Sequence, residues 1–137
     1  MGRIMAIDYG TKRVGIASTD PMKIFASPLT TVPERESIMF ISNYAQREDV
    51  EKIVVGMPVK LSGEPTDSTP HVIAFLEKLR NKLSGIPIVT EDETYSSKNA
   101  VKIMIAGGMK KKDRRNKSNI DKISASLILQ SYLDSGL

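Results

Sequence analysis

The segment KIVVG at residues 52–56 constrains the fold more than any other part of the chain. It places one isoleucine and two valines in succession, and a strand that is apolar at consecutive positions is typically buried on both faces. Such burial is typical of a parallel sheet covered by helices. The apolar spacing at residues 36–47 and 70–83 predicts helices on either side of this strand. The centre of the chain therefore predicts β-α-β-α-β units with right-handed crossovers.

The remaining segments complete a mixed sheet. Residues 3–8 and 14–19 predict two strands that form a hairpin. Residues 27–32 predict a third strand, and Pro28 restricts it to an edge or to its ends. Later in the chain we expect a fifth strand at residues 86–90 and helices at residues 96–106 and 119–134. The whole, residues 1–137, is expected to be a single α/β domain with a mixed five-stranded sheet flanked by helices.

The composition excludes several kinds of site. The chain has no cysteine and one histidine, which excludes a disulfide scaffold, a thiol nucleophile and a cysteine-based zinc site. No apolar stretch approaches the ~20 residues of a membrane span, and the N-terminus lacks the apolar core of a signal peptide. We therefore expect a cytoplasmic protein without membrane contact. Catalysis would have to use carboxylates, hydroxyls, lysines or a metal ion held by oxygen.

Positive charge is concentrated in one short segment. The chain has 20 Lys and Arg against 16 Asp and Glu, a net charge of +4, and residues 110–117 read KKKDRRNK. A phosphate backbone suits such a segment because neutralised phosphates release counterions. We expect a nucleic acid partner, and the alternative is a solvated loop that binds nothing. The candidate contacts are Lys110, Lys111, Lys112, Arg114, Arg115 and Lys117.

Carboxylates stand at the ends of predicted elements. Asp8 ends the first strand, the acidic run at residues 91–93 follows the fifth, and Asp121 lies in the first turn of the last helix. Each has a structural alternative, since an aspartate can form a turn and a loop acid can be merely solvated. Asp121 is also spaced from Ser118 as in a capping box, where an acid favourably meets the helix dipole.

Considered together, these carboxylates predict a metal site. The carboxyl ends of parallel strands form the functional edge of an α/β sheet, and a helix packed on the sheet can bring Asp121 there. Oxygen ligands without histidine or cysteine suit Mg²⁺ or Mn²⁺. Two such ions ~3.5–4 Å apart can activate water and stabilise a leaving oxygen in phosphodiester cleavage. An acidic centre beside a basic segment predicts a metal-dependent nuclease.

Five motifs occur in order along the chain. They are AIDYGTKRVGIASTD (residues 6–20), SPLTTV (27–32), IVVGMPVKLSG (53–63), EDETYSS (91–97) and NIDKISASLILQSYL (119–133). Together they resemble the YqgF family, also called RuvX, of RuvC-like nucleases with the RNase H-like fold. The resemblance covers nearly the whole chain. It implies a bacterial nuclease that processes the 5′ end of pre-16S rRNA.

The resemblance also implies which residues form the site. Lys12 and Arg13, beside the first aspartate, are implied to contact substrate phosphates, although solvated cations in a hairpin turn are the alternative. The implied ligand is Glu93 rather than Asp92, because the family motif centres on the glutamate. Thr94 stands where the family has arginine, which leaves a phosphate contact or an acid-pairing contact in question. The catalytic set is Asp8, Asp92, Glu93 and Asp121, and the metal ligands are Asp8, Glu93 and Asp121, with Mg²⁺ or Mn²⁺ as the cofactor.

Other functions remain open at this point. The same site suits a Holliday junction resolvase acting on four-way DNA junctions, and the basic segment alone suits a non-catalytic RNA-binding factor in ribosome assembly or transcription. Residues 8–11 also resemble the first phosphate motif of sugar kinases and actin-type ATPases, which need two domains around a nucleotide. We expect pre-rRNA as the partner, with branched DNA as the alternative, and a monomer or weak homodimer.

Overall fold

Five strands and three helices are formed by the residues that the structure, a computed structural model, describes: 2–58, 69–93 and 117–134. In chain order they are β1 (Arg3–Asp8), β2 (Arg13–Thr19), β3 (Ala26–Pro33), α1 (Glu34–Arg47), β4 (Val50–Pro58), α2 (Thr69–Lys82), β5 (Ile88–Glu93) and α3 (Lys117–Asp134). The helix predicted at residues 96–106 and most of the basic segment lie outside the described residues. None of the described helices is both long and apolar enough to cross a membrane.

The strands form one mixed sheet in the order β3-β2-β1-β4-β5. Strand β2 pairs antiparallel with both β1 and β3, whereas β4 pairs parallel with both β1 and β5. The predicted hairpin and the predicted parallel section are both confirmed. The α/β class and the five-stranded mixed sheet are confirmed with them.

Strand β4 lies inside the sheet and is buried on both faces, as its sequence predicts. Ile53 and Val55 pack in one apolar core and Val54 packs in another, and all three are fully buried. The first core includes α1 and α2, for example through Ile41 and Leu79. The second core is closed by α3, through Ala125, Ile128 and Leu129. The sheet is therefore covered on both sides, and α3 provides the described helical cover of its second face.

Strand β3 lies at one edge of the described sheet, as Pro28 predicts. The pairing register shifts between Ile16 and Ala17, and Pro28 lies opposite Ala17. A bulge and a proline, which has no N–H to donate, both make an edge less able to pair with another strand.

The loop between β2 and β3 is organised by one carboxylate. Asp20 accepts hydrogen bonds from the backbone N–H groups of Met22, Ile24 and Phe25 at 2.8–3.0 Å. The side chains of these three residues are exposed. Lys23 has a positive φ of 58°, and its ammonium pairs with Glu51. The backbone donors, that of Phe25 first, lower the pKa of the Asp20 carboxyl.

Two predicted boundaries are wrong in ways that affect the site. Strand β5 was expected to end before the acidic run at residues 91–93, but the strand includes that run. Pairing with β4 continues through Pro58, which lies opposite Glu93, so the ladder extends the strand. Helix α3 begins at Lys117, which places Ser118 inside the helix and Asp121 in its second turn. These positions differ from those that the predicted capping box requires.

Candidate active site

Asp8 is the last residue of β1 and belongs to the face of the sheet that α3 covers. Side chains alternate along a strand, and Ile4 and Ala6 pack in the core that α3 closes. Their intervening neighbours, Met5 and Ile7, pack in the other core. Alternation therefore places Asp8 on the α3 face, where its side chain is partly buried. The C-terminal end of a strand is rigid, which suits a carboxylate that must hold a fixed position.

Asp121 is brought beside this strand end by a close contact at Gly15. Gly15 lies directly opposite Asp8 in the β1–β2 pairing. A Cβ added to Gly15 would lie 2.1 Å from the Asp121 carbonyl oxygen and 2.4 Å from its carbonyl carbon. Only glycine leaves space for the backbone of α3 at this point. Two carboxylates that are far apart in sequence are thus placed at neighbouring positions on one face of the sheet.

The acidic run of β5 lies in the same part of the sheet. Ile7 pairs with Val55, and Gly56, the next residue of β4, pairs with Glu91. Glu91 therefore continues the cross-strand row that starts at Gly15 and Asp8. By strand register, position 93 is on the same face as Glu91 and as Val89, which packs in the α3 core, whereas position 92 is on the opposite face. The side chains of residues 92 and 93 lie outside what the structure describes.

Arg13 links the turn after β1 to α3. Its Nε donates a hydrogen bond to Oδ2 of Asp121 at 2.8 Å, and the two side chains are 36% and 23% exposed. A hydrogen bond between two charged groups is shorter and stronger than a neutral one. The sequence predicted Arg13 as a phosphate contact, and the structure shows that its described partner is a carboxylate of the candidate site.

A cleft of about 280 Å³ opens beside this ion pair. Its walls are the turn between β1 and β2 and the start of α3, and the lining residues are Tyr9, Gly10, Thr11, Lys12, Arg13 and Asp121. A Cβ on Gly10 would lie 2.6 Å from the Arg13 carbonyl oxygen, so the turn is tight where it forms the cleft. The Lys12 side chain is exposed, and its carbonyl accepts the Glu34 N–H that begins α1. The lining includes two cations and one carboxylate.

Tyr9 is a cleft residue to which sequence reasoning assigned no role. Its ring packs against Phe75 with centroids 4.5 Å apart, which joins the turn to the core under α2. Burial, and then the charge and hydrogen bond of Glu34, raise the pKa of the Tyr9 hydroxyl above 10.0. The hydroxyl therefore remains protonated at neutral pH. Its position directly after Asp8 in the first motif was the signal that could have identified it.

Comparison with known proteins identifies the family. The family model described as "RuvX: Holliday junction resolvase" matches residues 2–135. The chain belongs to the RuvX family. Among similar proteins, one from Amoebophilus asiaticus is 49% identical over 135 residues, covering 98% of this chain and 96% of its own. One from Phocaeicola vulgatus is 46% identical over 135 residues, covering 98% and 97%. Both carry the name "Putative pre-16S rRNA nuclease".

Solved structures agree with this assignment at the level of the fold. Thermus thermophilus RuvC superposes with a TM-score of 0.60 at 16% identity, covering 98% of this chain and 96% of that one. RuvC of T. thermophilus in complex with a Holliday junction substrate gives 0.56 at 16% identity, covering 99% and 97%. The RuvX chain therefore has the RNase H-like fold of RuvC, as its motifs predicted.

The described part of this RuvX chain contributes two carboxylates to the candidate site, and carboxylate oxygens are the ligand type that hard divalent cations prefer. Asp8 and Asp121 supply carboxylate oxygens from β1 and α3, and Mg²⁺ typically takes one or two carboxylates and completes its shell with water and substrate phosphate. Among the described residues no three acidic or histidine side chains form a metal-binding group. The third expected ligand, Glu93, has its side chain outside them. The donor set is therefore compatible with Mg²⁺ or Mn²⁺.

The basic segment is only partly within the described residues. Lys117 is the first residue of α3, and its side chain is not described. The other predicted phosphate contacts, Lys110, Lys111, Lys112, Arg114 and Arg115, lie outside the described residues. The segment nevertheless leads directly into α3, four positions before Asp121 in the sequence.

Proposed function

We propose that this protein is a metal-dependent endonuclease that processes the 5′ end of pre-16S ribosomal RNA. Its membership in the RuvX family and the name carried by its relatives support a hydrolase that acts on nucleic acid. The observation that carries the proposal is the contact of α3 with Gly15. The Asp121 backbone lies against Gly15, which pairs with Asp8 at the end of β1. We expect the protein to act in the cytoplasm as a monomer or weak homodimer.

In this proposal the acidic residues hold the metal and the basic residues hold the substrate. Asp8, Glu93 and Asp121 would coordinate Mg²⁺ or Mn²⁺, with Asp92 as the neighbouring acid of the motif. The bound ion would supply an activated water molecule and charge stabilisation at the scissile phosphate. The ligands come from β1, β5 and α3. Because the first two are strands of one sheet and the third is packed on it, their backbones need little rearrangement to accept the ion.

Substrate binding would use the cations of the turn and of the basic segment. Lys12 is exposed at the cleft, where its ammonium can approach a phosphate as a mobile point charge. The basic segment would bind the flanking backbone, and its contribution would decrease with increasing salt concentration. These contacts carry no sequence information, so the cut site would be chosen by the shape of the RNA and its unpaired regions.

The test is cleavage of a labelled pre-16S 5′-leader RNA. We expect the wild-type protein to cut with Mn²⁺ or Mg²⁺ and not with EDTA. Asp8→Asn and Asp121→Asn should each lose about 100-fold or more in rate, because each removes a ligand charge from the ion that stabilises the transition state. Asp134→Asn is the matched control, since Asp134 lies at the other end of α3 and pairs with Gln130.

The outcome that contradicts the proposal is equally specific. If Asp8→Asn cleaves the leader at the wild-type rate, or if cleavage persists in EDTA, the site is not a carboxylate–metal nuclease. If the wild-type protein binds the leader with Mn²⁺ present and leaves it intact, a non-catalytic RNA-binding factor replaces the enzyme.

A four-way DNA junction is the second candidate substrate, since the matching family model is described as a Holliday junction resolvase. The two candidates differ in the 2′-hydroxyl and in groove shape. Competition between a labelled DNA junction and the leader RNA separates them. Symmetric resolution of a junction also requires two active sites, so a monomer at the assay concentration argues for the RNA substrate.

A further inference from the structure

The Arg13–Asp121 ion pair engages a carboxylate that the proposed function gives to the metal. Oδ2 of Asp121 accepts the Nε–H of Arg13 at 2.8 Å. A carboxylate oxygen that faces a guanidinium at this distance has an occupied lone pair and a positive charge beside it. A second cation at this carboxylate, on either oxygen, is repelled by the guanidinium and competes with it for the negative charge of Asp121.

We propose that Arg13 is a positioning residue that holds the Asp121 carboxylate at the site before the metal binds and releases it when the metal arrives. This inference rests on the proposed function, because it takes Asp121 to be a metal ligand. Before metal binding, Arg13 neutralises part of the negative charge that gathers where β1 and α3 meet. After release, its guanidinium is a fork of N–H donors at the cleft, a geometry that suits a phosphate.

Both partners are attached to rigid backbone. Arg13 is the first residue of β2 and pairs with Pro33, and the tight turn at Gly10 lies against its carbonyl. The backbone of Asp121 is fixed on Gly15. The two side chains therefore meet with little freedom in their attachment points, so the bond from Arg13 restricts the direction of the Asp121 carboxylate.

The exposure of the pair indicates that it can be broken. The Arg13 side chain is 36% exposed and that of Asp121 is 23% exposed, so water screens the attraction and can solvate the guanidinium once it leaves. Exposed ion pairs contribute at most about a fivefold factor to an equilibrium constant. A divalent ion that gains two or more carboxylates can overcome such a factor. A fully buried pair would instead have closed the site permanently.

The first test measures Mn²⁺ affinity from the free-ion electron paramagnetic resonance signal, without substrate. Arg13→Gln removes the competitor, so we expect Mn²⁺ to bind about three- to fivefold more tightly than to the wild type. Lys12→Gln is the matched control because it removes the same charge from the same cleft without removing the bond to Asp121. We expect less than about a twofold change from it, since its exposed charge is screened. Asp121→Asn should weaken binding.

The second test observes the guanidinium itself. The Arg13 Nε–Hε cross-peak in a ¹H–¹⁵N spectrum is assigned by its loss in Arg13→Lys, which retains the charge but has no Nε. In the metal-free protein the hydrogen bond should slow exchange of this proton with water. Titration with diamagnetic Mg²⁺ should shift the cross-peak and speed its exchange. Asp121→Asn should change it in the same direction without metal.

The outcomes separate this inference from the function on which it rests. If Asp121→Asn weakens Mn²⁺ binding but Arg13→Gln has no more effect than Lys12→Gln, or if Mg²⁺ leaves the cross-peak protected, Arg13 is a fixed structural contact. The inference then fails and the proposed metal site stands. If neither the wild type nor Arg13→Gln binds Mn²⁺ in a way that depends on Asp121, both fail together.

Discussion

Replacing Gly15 with alanine should damage both the stability and the site, because it adds one methyl group where α3 meets β2. The new Cβ would lie 2.1 Å from the Asp121 carbonyl oxygen, 2.4 Å from its carbon and 3.0 Å from the Lys122 nitrogen. All three are backbone atoms, so no flexible side chain can move aside. Relief to ordinary van der Waals contact requires α3 to shift by about 1.4 Å, since C···O contacts are comfortable at ~3.5 Å.

The magnitude follows from this overlap. Extra methyl groups in packed interiors lower the unfolding free energy by about 1–3 kcal/mol. Because the neighbouring atoms at Gly15 are rigid backbone, we expect Gly15→Ala to lower it by about 3 kcal/mol. The shift also displaces Asp121 from Asp8. A misplacement of about 1 Å in a catalytic group can cost about 100-fold in rate, so we expect a loss of this size in leader cleavage by the protein that remains folded.

The assay combines urea unfolding followed by circular dichroism with cleavage at a temperature where the variant is folded. Gly85→Ala is the matched control, because a Cβ there meets nothing within 4 Å, and it should change stability by less than about 0.5 kcal/mol. The reasoning is refuted if Gly15→Ala and Gly85→Ala unfold at the same urea concentration and cleave at the same rate.

Two further predictions concern stability away from the catalytic chemistry. Ser124 is fully buried and its hydroxyl has no hydrogen-bond partner among the described residues, so Ser124→Ala should raise the unfolding free energy by about 1 kcal/mol in urea titrations. The control is Ser126→Ala, which removes a bonded hydroxyl and should not raise the unfolding free energy. Equal effects of the two substitutions would contradict the argument. The pKa of the Asp20 carboxyl is lower in the folded protein than in the unfolded chain. Its contribution to loop stability is therefore present above its pKa in the unfolded chain and is lost as pH falls through its pKa in the folded protein. The Phe25 amide shift should therefore titrate with a midpoint below 3.8, and a midpoint at or above 3.8 would show that the carboxylate does not hold the loop.

Local patterns predicted the elements of the described fold well, because those elements depend on short-range chemistry. The three consecutive β-branched residues of β4 predicted burial on both faces, and Pro28 predicted an edge strand. The errors lie where residues distant in the sequence determine the boundary of an element. Strand β5 continues through its acidic residues because β4 provides a partner as far as Pro58, and nothing in a run of acids indicates such a partner.

Sequence patterns nominated the residues of the candidate site but not the contacts between them. Asp8 and Asp121 followed from element ends and from the family motifs. The ion pair between Arg13 and Asp121 joins residues 108 positions apart, so no local pattern can contain it. Gly15 belonged to a quoted motif, but its role depends on a helix that crosses it from the other end of the chain. The expected ligand role of Glu93 stays a prediction.

The cover that α3 provides also sets an order of assembly during translation. A chain is synthesised from its N-terminus, and domains acquire structure as they emerge. All five described strands precede α3 in the sequence, yet one face of their sheet is closed by Ala125, Ile128 and Leu129 of that helix. A partly synthesised chain therefore has an uncovered apolar face and lacks the Asp121 carboxylate. If the protein cuts ribosomal RNA precursors as we propose, no nascent copy can do so until α3 has been made and has docked.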